Sequence, residues 1–94
     1  MVEITFTQSA WNDLDSITDY LAQDSRRYAQ EFGERLFERI EQLKKFPHSG
    51  RIVPEFQNEE MRELIMNKYR IVYRIYSPEL IVIIRIIHGS KLLT

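Results

Sequence analysis

Few side chains in this 94-residue chain are equipped for chemistry, and their types bound what that chemistry could be. There is no cysteine, hence no thiol nucleophile, disulfide or zinc ribbon. The two histidines, His48 and His88, lie far apart and form no metal-ligand pair. No glycine-rich stretch resembles a phosphate-cradling loop, and no serine sits in a nucleophile elbow. A metal- or nucleotide-dependent enzyme is therefore not expected, and neither is a metal or cofactor. What remains is charge. Arg70 and Arg74 alternate with Val72 in a run of β-branched and aromatic residues, Glu55 follows Pro54 in a loop, and His88 adjoins Gly89 at the end of an apolar run. Arginine grips carboxylate or phosphate through a planar fork, and histidine exchanges protons near neutral pH. Each also has an ordinary reading. These are a solvated loop carboxylate, an arginine on a solvent-facing side of a sheet, and a hydrogen-bonded histidine at a strand end. His48, in a loop, is incidental.

Positioning such groups requires a folded scaffold, and the composition supports one. With 44% hydrophobic and 29% charged residues the chain reads as globular rather than disordered, and its length fits a single domain over residues 1–94. No apolar stretch approaches the roughly 20 residues that span a bilayer, and no secretory signal opens the chain, so a cytoplasmic protein with no membrane partner is expected. The net charge is −1 but unevenly spread: residues 1–24 carry five acids and no base, and the remainder is correspondingly basic at +4. A polarised molecule can present a positive face despite a neutral total, so nucleic acid stays open without being favoured.

Residues 3–7 alternate polar and apolar as a half-buried strand does. Thr7 or Ser9 can then cap a helix whose stripe is Ala10, Leu14, Ile17 and Leu21. Asp13, Asp15 and Asp19 fall outside that stripe and read as a solvated face. Asp24-Ser25 caps a second helix striped by Ala29, Phe32, Leu36, Ile40 and Leu43, with Phe46 closing the row before Pro47 stops it. Trp11, Tyr20, Tyr28 and Phe37 flank the stripes, either widening the core face or meeting a partner. A loop follows, and residues 51–60 show no clean period. Three strands are then expected, over 62–66, 69–76 and 80–88, with turns at Asn67-Lys68 and Ser77-Pro78-Glu79. Residues 80–84 are apolar on both faces and belong in the middle of a sheet. The order is β-α-α-β-β-β, an α+β fold with a helical hairpin packed on one face of a mostly antiparallel twisted sheet.

Pro47-His48-Ser49-Gly50-Arg51, Val53-Pro54-Glu55, Arg62-Glu63, the run 69–75 and Ile86-Ile87-His88-Gly89-Ser90-Lys91 occur in order at family-like distances. Together with the two helices they resemble the RelE/ParE toxins of bacterial type II toxin–antitoxin systems over nearly the whole chain. The resemblance implies a toxin neutralised by a cognate antitoxin protein, and it leaves two activities open. ParE-like members bind DNA gyrase and poison it. RelE- and YoeB-like members cut messenger RNA in the ribosome. On the nuclease side the motif positions fall on Glu55 as base, Arg70 as phosphate clamp and His88 as acid, with Tyr69 or Tyr73 available to stack on a base.

Departures from the nuclease pattern favour the ParE side. The total charge is not basic, residues 51–60 set Arg51 against Glu55, Glu59 and Glu60, and no tyrosine follows His88. The expected protein is thus a gyrase-binding toxin whose recognition surface, for target or antitoxin, draws on Arg62, Arg70, Arg74, Lys91, Leu92 and Leu93. The alternatives are a ribosome-dependent endoribonuclease and an inactive protein-binding module of the same fold.

Overall fold

The computed structural model describes residues 2–91 and 93. Strand β1 (Glu3–Phe6) leads into helix α1 (Gln8–Ala22), then α2 (Arg26–Glu41) and a 3-10 turn (Gln42–Lys44). Strands β2 (Arg51–Ile52), β3 (Met61–Met66), β4 (Tyr69–Ser77) and β5 (Leu80–His88) complete an order of β1-β5-β4-β3-β2. The β1–β5 pair is parallel and the other pairs are antiparallel. The α+β hairpin-on-sheet architecture expected from the sequence is present, with one addition. Residues 51 and 52 form a short edge strand against Glu63 and Arg62, too brief to leave a period in the sequence.

Both helix starts are capped as expected. The Thr7 hydroxyl accepts from the Ala10 amide, and that of Ser25 from the Tyr28 amide. The stripes meet the sheet: Ala10, Leu14, Phe32, Leu36, Ile40 and Leu43 pack on Leu64, Met66, Ile71, Tyr73, Ile81, Ile83 and Ile86. Phe46 does not close the row; it is 63% exposed. The 3-10 turn advances only three residues per turn, so it rotates the chain out of phase with the α2 stripe. Trp11, Tyr20, Tyr28 and Phe37 are likewise exposed, although Trp11 stacks on Phe6 with centroids 4.2 Å apart.

Strand β5 is interior, between β1 and β4, with β4 rather than β5 in the middle of the sheet, and it carries a bulge. Val72 pairs with Arg85 while Tyr73 pairs with Ile83, so Ile84 is the extra residue. That insertion returns Ile86 to the same face as Ile81 and Ile83, where a regular alternation would have turned it away. Helix α1 satisfies the backbone that the bulge leaves unpaired. The Thr7 hydroxyl donates to the Ile84 carbonyl at 2.7 Å, and Asp13 accepts from the Ile86 amide at 2.9 Å. Asp13 also takes both Nε and Nη2 of Arg85, so it is not part of a solvated acidic face. These bonds hold the Arg85 guanidinium more firmly protonated than a free one.

The loop before β2 is anchored from below. The buried Tyr73 hydroxyl donates to the Pro47 carbonyl at 2.7 Å and accepts from the Gly50 amide at 3.0 Å. Gly50 has no room for a side chain: a Cβ would stand 2.6 Å from the Tyr73 oxygen and 2.7 Å from the Glu63 carbonyl. Gly33, in the middle of α2, has nothing within 4 Å of the same position. Gly50→Ala should therefore destabilise the chain by about 1–3 kcal/mol, whereas Gly33→Ala should stabilise it by roughly 0.5–1 kcal/mol. Urea unfolding of the two variants checks both signs.

Candidate functional site

The face of the sheet opposite the helices is where the charged candidates gather. Side chains alternate along β4, so Ile71 and Tyr73 point into the helix-side core and Arg70 and Val72 point the other way. Arg70 is not solvent-facing as its place in the strand suggested; it is only 5% exposed. The loop carrying Glu55 and the segment after β5 fold across it. A turn in which the Lys91 amide donates to the His88 carbonyl brings the chain end back over the face.

A guanidinium taken out of water needs its N–H groups satisfied. Arg70 donates Nε to Glu63 Oε1 at 2.6 Å and Nη2 to Glu55 Oε1 at 2.7 Å. Its Nη1 serves both Glu55 Oε2 at 2.8 Å and the Lys91 carbonyl at 2.9 Å. The Arg70–Glu55 contact is thus a bidentate fork. Glu63, fully buried, also accepts from Arg51 Nε, which extends the chain of charge to the β2 edge. Glu55 Oε2 takes one more bond, from the Leu93 amide at 3.0 Å. The Arg51–Glu63–Arg70–Glu55 series alternates in sign and sums to zero.

This geometry fixes protonation. Hydrogen bonds from Arg70, then from the Leu93 amide, hold the Glu55 carboxyl at about 2, against an ordinary 4.5. The same pairing with Glu55, followed by that with Glu63, makes Arg70 still harder to deprotonate. A carboxylate so strongly stabilised in its charged form is a weak proton acceptor at neutral pH. Glu55 and Arg70 are therefore brought together, but as an ion pair closed on itself.

His88 stands apart from them. It pairs with Tyr69 across the strands, while Arg70 pairs with Ile87, so His88 and Arg70 lie on opposite faces. The His88 ring meets Tyr69 edge-on at 5.9 Å, Tyr69 meets Phe32 of α2 at 5.3 Å, and His88 Nδ1 is 2.7 Å from the Ser90 hydroxyl. Tyr69 is half-buried and Tyr73 wholly so, and burial raises both phenols above their usual range. Neither offers an open ring beside Arg70. Among the described residues, no group of three or more His, Asp or Glu side chains is placed to hold a metal ion.

The other basic candidates differ in how free they are. Arg62 is spent on the loop, donating to the carbonyls of Glu59, His48 and Gly50. Arg74 is half-exposed, lies over the Tyr76 ring at 4.5 Å and is 3.7 Å from Glu60. Its buried Nε has no hydrogen-bond partner among the described residues. Around it on the open face lie the half-buried Thr5 and Val82, in register with one another and with Arg74. Lys91 is exposed and Leu93 half-buried, while Leu92 lies outside the described residues. Sequence reasoning missed Glu63 as the hub between two arginines. Its signal was a carboxylate on the same alternating face as Ile65. The grip on the Lys91 carbonyl and Leu93 amide had no signal, because backbone atoms make it.

Comparison with known proteins bears on this arrangement as a whole. The profile of a family described as ParE toxin of type II toxin-antitoxin system, parDE, matches residues 4–93. The chain belongs to the ParE toxin family. A ParE toxin is one half of a type II toxin–antitoxin system, which implies an antitoxin as its partner. Among solved structures, a chain of the chromosomal ParDE TA system from P. aeruginosa superposes with a TM-score of 0.76 at 22% identity, over 96% of this chain and 98% of that one. At that identity the likeness concerns the fold alone. No curated protein matches the chain. No described helix of this ParE toxin is long and apolar enough to cross a membrane.

Two measurements probe the charge cluster. Glu63→Ala removes the partner of two arginines and should cost about 3–5 kcal/mol, read by chemical denaturation. Glu55 should titrate near 2 by carboxyl NMR in the folded protein. Because its folded value lies below the unfolded one, its stabilising contribution is complete above about 4.5 and lost as the pH falls toward 2.

Proposed function

We propose that this ParE-family toxin acts by binding DNA gyrase and that its antitoxin neutralises it by covering the same surface. Family membership supports the toxin reading. The observation that carries binding over hydrolysis is the state of the charged residues. Arg70 has four of its five N–H groups engaged within the fold, Glu55 is held ionised, and His88 is on the other side of the sheet. A metal-free ribonuclease needs a base, an acid and a phosphate clamp converging on one point.

The recognition surface assigned here is the open face beside the chain end. Arg74, Lys91 and Leu93 supply its contact groups, and Arg62 and Arg70 contribute by fixing the loop and tail that shape it. Half-buried Val82 and Leu93, with the solvent-exposed part of the Arg74 guanidinium, suit a protein partner that brings an acidic or carbonyl acceptor.

The test is a supercoiling assay with relaxed plasmid, gyrase and ATP. Purified toxin should reduce supercoiling or trap cleaved DNA, and Arg74→Ala should raise the concentration needed by about tenfold. In cells, induction should arrest growth with a DNA-damage response and intact messages. Messages cut at the A-site codon of translating ribosomes would instead assign the ribonuclease activity.

A further inference from the structure

Two bonds from the charge cluster end on the backbone of the last residues: Arg70 Nη1 to the Lys91 carbonyl and the Leu93 amide to Glu55 Oε2. We propose that Glu55 and Arg70 form a latch that positions the C-terminal tail, and that target recognition uses the tail in its latched position. Glu55 is then a positioning residue, acting through the tail rather than touching a reactant. The proposal rests on the gyrase-binding reading for its target and on the geometry above for the latch itself.

Three features of the cluster support a latch rather than a passive ion pair. First, it grips main-chain atoms. The exposed Lys91 side chain and the half-buried Leu93 are thereby set in place without being consumed by the contact. Second, among the described residues the other hydrogen bonds of the segment after β5 are local: the Gly89 amide to Lys68, Ser90 to the His88 ring, and the Lys91 amide to the His88 carbonyl. Third, the dependence is mutual. The tail carbonyl satisfies an N–H of Arg70, which is almost wholly buried, and the tail amide completes the coordination of Glu55. A chain end ordered in advance spares a partner the entropic cost of ordering it, which raises affinity without adding a contact.

This arrangement gives one ionisable group control over a segment that would otherwise fray. Neutralising Glu55 removes the charge that makes the fork to Arg70 strong and weakens its acceptance from the Leu93 amide. Glu63 keeps its own bond to Arg70 Nε, so the core end of the network persists. Loss of the latch therefore loosens the chain end beyond the general loss of stability that neutralising Glu55 brings.

The experiment uses the full chain with Glu55→Gln, and a second variant lacking residues 91–94. Amide exchange and 15N relaxation are followed at Leu93 and, as a control for global opening, at Ile71. In the wild type the Leu93 amide shift should follow the Glu55 carboxyl as the pH is lowered. In Glu55→Gln that pH dependence should vanish, with Leu93 exchange at least tenfold faster relative to Ile71, whose own exchange reports the global stability lost with the Glu55 charge. Glu55→Gln and the truncated chain should both need at least tenfold more protein to inhibit gyrase, and by similar factors. Leu93 exchange unchanged relative to Ile71 in Glu55→Gln would overturn the latch. Full inhibition by Glu55→Gln despite a mobile tail would overturn its role in recognition. If the wild-type protein leaves gyrase untouched, the gyrase reading fails by itself. The latch is then judged by Leu93 exchange, and the tail's role by whether Glu55→Gln loses growth arrest on induction.

Discussion

A cation buried against a sheet is stable only while every segment that solvates it stays in place, and Arg70 imposes that condition on three of them. Its guanidinium rises from β4 and is bounded by Glu63 from β3, Glu55 from the loop and the Lys91 carbonyl from the chain end. Glu63 passes the constraint to Arg51 on β2. Replacing the ensemble with apolar residues could give equal stability, since desolvation offsets much of the Coulomb attraction. What the charges supply is direction. A forked donor accepts carboxylates in few orientations, so the loop and tail are not merely covered but placed.

The other face is organised by different physics. There the hairpin of α1 and α2 buries aliphatic and aromatic side chains against β3, β4 and β5, and the interactions are non-directional. Direction returns where polar groups meet the backbone. Asp13 and Thr7 serve the bulge in β5, which fixes how α1 meets the sheet, and the Tyr73 hydroxyl holds the loop at Pro47 and Gly50. The molecule is thus a sheet with an apolar layer on one side and a polar lattice of loop and tail on part of the other. The remainder, around Arg74 and Val82, is the part of that face we propose a partner covers.

Residue types that resemble a cleavage site in one member of a superfamily need not form one in another, because a fold hosts chemistry only where geometry gathers it. Glu55 and Arg70 meet here in a pair that satisfies itself, and His88 joins Tyr69 and Phe32 at the edge of the helix-side core. The motifs through which the family is recognisable double as structural fastenings. Gly50 is required by the Tyr73 contact, Arg62 serves the carbonyls of the loop, and Gly89 bonds the Lys68 carbonyl through its amide.

Much of this was legible in the order of the residues. Periods of three to four and of two marked both helices and the long strands, because a repeating apolar face follows directly from backbone geometry. The caps at Thr7 and Ser25, the turn at Asn67-Lys68 and the interior, though not middle, place of β5 were legible for the same local reason. What pattern could not contain was any contact between distant segments. That Asp13 leaves its acidic neighbours for Arg85, that Ile84 is a bulge, that Arg70 is buried and that the tail returns to Glu55 all join residues far apart in the chain. The residue types determined which groups could carry charge and which faces had to be buried. Only the tertiary fold decided which charges would meet, because hydrogen-bond geometry is set by the packing of whole elements and not by the spacing of letters within one.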